Sequence, residues 1–131
     1  MTYDGSTLNV TGDTNVTGAF TAASKSFDIK HPSKVGMRLR YGVLEGPEHG
    51  VYVRGVINST EIILPDYWVN LVHADSITVQ LTPIGNVGNV SVVEANSEKV
   101  ILQSETGVVH HYFFIQGERK DVPSIDVEYE G

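Results

Sequence analysis

From Arg38 to Gly55 the chain reads Arg-Leu-Arg-Tyr-Gly-Val-Leu-Glu-Gly-Pro-Glu-His-Gly-Val-Tyr-Val-Arg-Gly, and no other stretch restricts the fold as much. Leu39, Tyr41 and Val43 alternate with Arg38, Arg40 and Gly42, and Val51 and Val53 alternate with Tyr52 and Arg54. Period-two alternation sends successive side chains to opposite faces of an extended backbone, so each run can bury one face of a strand. Between the runs lies Glu45-Gly46-Pro47-Glu48-His49-Gly50. Gly-Pro followed by a second glycine marks a turn, not a helix. The expectation is a β-hairpin with an acidic tip and arginines on its arms, in an all-β protein.

The rest of the chain repeats this pattern. Phe27-Asp28-Ile29 reads as a strand broken by His31-Pro32-Ser33, because proline lacks the ladder donor. Glu61 to Leu64 is a short strand closed by Pro65, and Ser76 to Pro83 is the cleanest strand, with Ile77, Val79 and Leu81 on one face. Val90-Ser91-Val92 and Lys99 to Leu102 pair across Asn96-Ser97-Glu98. Val109 to Gln116 is apolar on both faces and predicts a strand buried on both sides, while Ile125 to Tyr129 alternates once more. Helical promise is confined to Asp66–Val72, where Trp68, Leu71 and Val72 have the spacing of a buried stripe and Pro65 suits a first turn. Trp68, the sole tryptophan, is expected to anchor the core or a contact between chains. About nine or ten strands and one short helix suit a small β-sandwich or barrel.

The first 26 residues differ in kind. Asn9-Val10-Thr11-Gly12 recurs as Asn15-Val16-Thr17-Gly18, and Leu8, Val10, Val16 and Phe20 stand alone among Thr, Asn, Asp and Gly. Such a segment buries too little surface by itself to offset the entropy of ordering it. One reading is a flexible leader. The other, favoured by the regular spacing, is a short intertwined β-shaft in which several chains point Leu8, Val10, Val16 and Phe20 at a shared axis. The small, polar run Thr21 to Ser26 sets the boundary, giving a shaft-like segment at 1–26 and a globular β domain at 27–131.

Composition narrows the function classes. With 131 residues, 40% apolar, the chain suits one folded domain with an appendage. A net charge of −7 argues against a nucleic-acid partner and weakens binding to an anionic membrane. No apolar run approaches a membrane span, and Met1 to Ser6 lacks the basic start of a signal peptide. The absence of cysteine excludes disulfides and thiol catalysis.

Candidate chemistry is sparse, and no enzyme activity or cofactor is expected. Glu45 and Glu48 on a turn have an ordinary spacing for solvated charges. Arg38, Arg40 and Arg54 could clamp an anion, but pairing with Glu45, Glu48 or Asp66, within or between chains, is the more ordinary use. Adjacent His110 and His111 point to opposite faces of a strand, so one chain cannot ligate a metal with both. One histidine from each of three chains could meet at an axis, yet a core or surface histidine is the simpler account, and no metal site is assigned. Phosphate-loop, zincin and nucleophile-elbow patterns are absent from the sequence.

Seven blocks then fall in one order: Phe27 to Pro32, Arg38 to Tyr41, Leu44 to Glu48, Gly50 to Gly55, Leu64 to Trp68, Ile77 to Gly85 and Arg119 to Asp121. In this order they resemble the C-terminal region of bacteriophage tail fibre proteins, those of T-even-like phages and cyanophages among them. The Gly/Thr repeat before them is similar to the shaft segments that precede such domains. The resemblance implies a homotrimeric virion structural protein, made in the host cytoplasm and built into the tail fibre. Its implied partners are its own copies, other tail or baseplate proteins, and a host-surface glycan or protein receptor. An alternative that needs no resemblance is a monomeric carbohydrate-binding or accessory β-domain, with Tyr52, Tyr67 or Trp68 exposed to stack on sugar.

Overall fold

The structure is a computed structural model that describes residues 1–131. It is mostly β: β1 (Thr2–Tyr3), β2 (Leu8–Asn9), β3 (Ser26–Lys30), β4 (Arg38–Gly42), β5 (Gly50–Ile57), β6 (Glu61–Ile63), α1 (Trp68–Leu71), β7 (Thr78–Pro83), β8 (Val90–Ala95), β9 (Lys99–Ser104) and β10 (His111–Glu118). The strands form four small antiparallel sheets, ordered β1-β2, β3-β4, β5-β10-β7 and β6-β9-β8. No helix is long and apolar enough to cross a membrane.

Two strands hold the centre of their sheets. β10 pairs with β5 from His111↔Ile57 to Glu118↔Gly50 and with β7 from His111↔Pro83 to Gln116↔Thr78. β9 lies between β6 and β8, and a bulge at Val92/Glu94 interrupts the second ladder. The inner faces of both sheets, with Leu39 of β4, enclose one apolar cluster. Trp68, Leu71, Ile115, Val51, Val72 and Val100 are its fully buried large side chains. Each contributes about 1.5–3 kcal/mol by leaving water.

The helix forms where its spacing predicts it. Pro65 supplies the carbonyl for the Trp68 amide at 2.9 Å, and Val72 closes the turn on the Trp68 carbonyl. Trp68 and Leu71 therefore point inward together, with Val72 beside them. The end of the helix is fastened to the end of β10, since the Lys120 amide donates to the Leu71 carbonyl and the His73 amide to the Glu118 carbonyl. Gly117 makes this approach possible: a Cβ there would lie 2.4 Å from Val72 Cγ1 and 3.0 Å from Ile77 Cδ1.

Three expectations are corrected. The Arg38–Gly55 hairpin does not form, because β4 pairs with β3 and β5 with β10. The run from Val43 to His49 carries the chain from one sheet to another. It lacks the two-residue turn that would hold the arms together, whereas β10 offers β5 a ladder along its full length and β3 offers β4 matched apolar pairs, Ile29↔Leu39 and Phe27↔Tyr41. Secondly, β10 is covered on one face only: His111, Ile115 and Gly117 are buried, while Tyr112 is 56% exposed. Thirdly, Ile125–Tyr129 forms no strand, and Ile125, Val127 and Tyr129 stay exposed. Its alternation is intact, but no sheet edge within the chain receives it.

In the single chain the leader carries one short hairpin. β1 and β2 form a hairpin closed by Asp4, whose Oδ1 accepts from the Thr7 amide at 2.7 Å and the Ser6 amide and hydroxyl at 2.9 Å. These bonds, the Ser6 amide first, hold the Asp4 carboxyl below the usual range. Val10, Val16 and Phe20 lie in no strand, and with Leu8 they are exposed in the single chain.

Candidate functional site

Because β10 is central and open on its outer side, the β5-β10-β7 sheet presents an uncovered face. The register arranges it in rows: Tyr52, Gln116 and Thr78; then Arg54, Phe114 and Gln80; then Val56, Tyr112 and Thr82. The Tyr52 and Phe114 rings stack diagonally across it, centroids 5.0 Å apart and planes 17° apart. Arg54, Val56, Gln80, Thr82, Tyr112 and Phe114 line a shallow concavity of about 510 Å³. Arg54 is exposed and makes no hydrogen bond or ion pair with the rest of the chain. Gln116 at the rim donates to Glu48 Oε1 at 3.0 Å. An aromatic floor with the Gln80 amide, the Thr82 and Tyr112 hydroxyls and one cation, Arg54, can hold a flat or anionic group. Its lining is of the kind that holds a ligand by stacking and hydrogen bonds.

The sequence-derived candidates are scattered. Arg38 and Arg40 both take Asp28, at 2.6 Å each, in place of Glu45, Glu48 or Asp66. The reason is the ladder: Asp28 is opposite Arg40 and diagonal to Arg38 on the same face. The Arg40 bond first, then Arg38, keeps the Asp28 carboxyl below the usual range. Glu45 pairs instead with Lys25 and Asp66 with Lys34, both at 3.3 Å. Trp68 is 0% exposed and belongs to the core, so it is no sugar platform. Tyr67 is half-buried beside Tyr41 and His31, its hydroxyl bonded to that of Tyr41. Burial, then that bond, raises its pKa above the usual tyrosine value. Of the three aromatics expected to be free, Tyr52 lies on the open face, while Tyr112 and Phe114 beside it were masked by their place in an apolar run. His111 faces the core with Nδ1 unpartnered and His110 is exposed, so the two point apart. No group of three His, Asp or Glu side chains is placed to hold a metal.

Arg119 is the residue that sequence reading missed. The run Gly117–Asp121 reads as a charged turn, yet the Arg119 side chain is 8% exposed. Its guanidinium lies 4.0 Å from the Phe27 ring centroid and donates from Nε and Nη2 to the two Asp121 oxygens at 2.9 and 2.7 Å. It thereby joins β3 to the end of β10. The Arg119 bond is the main cause that lowers the Asp121 pKa. A depressed folded-state pKa stabilises the fold above the unfolded carboxylate range, and that stabilisation is lost as pH falls through the folded value. Asp121→Asn is therefore expected to cost about 1–2 kcal/mol near neutrality and to flatten the acid limb of the stability curve. Urea melts at neutral and acid pH check this; equal losses at both would contradict it.

Comparison with protein-family models, with curated proteins and with solved structures finds no match to this chain.

Proposed function

We propose that the chain is a homotrimeric structural module of a bacteriophage tail fibre, contributing to fibre assembly and host attachment. The observation that carries the reading is surface area. A folded monomer of 14.3 kDa exposes about 6,800 Å² by the usual scaling, and this chain exposes 9541 Å². The surplus, roughly 2,700 Å², exceeds the total area of a standard protein interface. Exposed apolar side chains include Leu8, Val10, Val16 and Phe20 of the leader and Val56 and Tyr112 of the open face. A lone chain gains nothing by exposing these groups, whereas companions would cover them. The ordered tail-fibre blocks in the sequence support the same reading and supply its biological setting.

In this reading three leaders wind about one axis, and the globular parts stand around or beyond it as an all-β unit. Arg38, Arg40, Arg54 and Glu45 are exposed and Glu48 is half-buried, and bridges between chains from these residues would offset the repulsion of three copies at −7 each. Further tail or baseplate proteins and a host-surface glycan or protein complete the partners. Gold-labelled antibody against the chain is expected to decorate tail fibres of the intact virion. Label confined to the capsid, or absent from virions, would remove the proposal.

A second reading is a monomeric saccharide-binding domain, favoured by the unpaired Arg54 beside Phe114 and Gln80 in the open concavity. A glycan array without signal would dispose of it.

A further inference from the structure

We infer that Ile125–Glu130 of one chain adds as a strand to the open edge of β4 in a second copy. This rests on the multi-chain reading above and names one of its contacts.

Charge is divided unevenly along the chain. Five of the nine basic residues, Lys25, Lys30, Lys34, Arg38 and Arg40, fall in and around the β3-β4 hairpin; Asp28 is the only acid between Lys25 and Gly42, and Glu45 and Asp66 reach Lys25 and Lys34 from outside it, which leaves the group net positive. Asp126, Glu128 and Glu130 lie in the final segment, which has no basic residue after Lys120. A basic hairpin on a strongly acidic protein is complementary to the acidic end of its own sequence.

The edge is also open in the required way. His31 and Lys25 bond to Met37 and Val43 at the ends of the ladder, and bonded pairs alternate between them. The backbone groups of Arg38, Arg40 and Gly42 therefore face away from β3 and have no partner strand. On the other edge the Asp28 carbonyl already accepts from Arg38 Nη2, which leaves β4 as the better template. Unpaired edges of this kind accept an extended segment through main-chain bonds.

The side-chain patterns match. β4 points Arg38 and Arg40 outward and Leu39 and Tyr41 inward. An antiparallel strand from Ile125 to Glu130 would place its acids beside the arginines and Ile125, Val127 and Tyr129 beside Leu39 and Tyr41. Asp28 neutralises only one of the two guanidiniums, whose Nη1 atoms make no hydrogen bond and whose side chains are 61% and 71% exposed. Within one chain the segment lies exposed and leaves the β4 edge empty, so the occupant is a neighbour's segment.

The test is the oligomer mass of the full chain by sedimentation over a range of concentrations, with circular dichroism as the check of folding. The triple substitution Asp126→Lys, Glu128→Lys, Glu130→Lys alters exposed side chains only, and it is expected to weaken association about tenfold or more. Adding Arg38→Gln and Arg40→Gln to it should restore most of that loss by removing the repulsion. Unchanged association in the triple variant would overturn the strand-addition contact and leave the fibre reading standing. Weakening without rescue would overturn β4 as the receiving edge. A wild-type chain that stays single at every concentration would overturn both.

Discussion

Trp68→Ala is expected to remove about 3–5 kcal/mol of stability, the largest effect of any single substitution in the chain. That is a large share of the 5–15 kcal/mol typical of a folded domain, so much of the variant would be unfolded on mild heating. The side chain is 0% exposed and lies in the cluster shared by both three-stranded sheets, so its loss leaves a void that neither sheet can close alone. Its Nε1 is buried without a partner. Trp68→Phe therefore removes an unsatisfied donor together with some volume, and its cost should be smaller, about 1–2 kcal/mol. Chemical denaturation of the two variants checks the order. A Trp68→Ala loss below about 1 kcal/mol would contradict the close packing of Trp68 between the two sheets.

Gly117→Ala is expected to cost about 2–3 kcal/mol and lower the melting temperature by roughly 10 °C, although it adds one methyl group to a strand. The new Cβ would meet Val72 Cγ1 at 2.4 Å, and Val72 is held by its bridge to Arg119 and by the Lys120 and His73 amides on either side. Relief requires α1 to lift from β10. Gly55→Ala is the control: its nearest neighbours are Phe113 ring atoms at 3.1 Å, which a small ring movement accommodates. Similar melting temperatures for the two alanines would show that α1 is not pressed against Gly117.

Those two residues mark what was legible in the sequence. The i, i+3, i+4 spacing of Trp68, Leu71 and Val72 predicted a buried turn because helical spacing is local. Strands β3, β6, β7, β8 and β9 were equally readable from alternation and turn residues. Partner choice was not. The Arg38–Gly55 stretch has two good arms, and nothing local reveals that each arm has a better partner elsewhere, since pairing depends on residues such as Asp28 and Phe113 far away in sequence. The open face was hidden for a related reason: an apolar run gives no sign of which side is covered. Arg119 looked like a turn charge because its partners, Phe27 and Asp121, include one distant residue. Ile125–Tyr129 shows the converse case, a strand pattern without a strand, and the pairing proposed with β4 of a second copy gives that pattern a use.

The proposed association of three copies of this chain is open to direct measurement. Sedimentation equilibrium of the full chain at micromolar concentration and moderate salt provides it. The expected mass is three times the 14.3 kDa of one chain, with no stable single-chain species. A mass equal to one chain, unchanged as concentration rises, would contradict that association and the fibre reading with it.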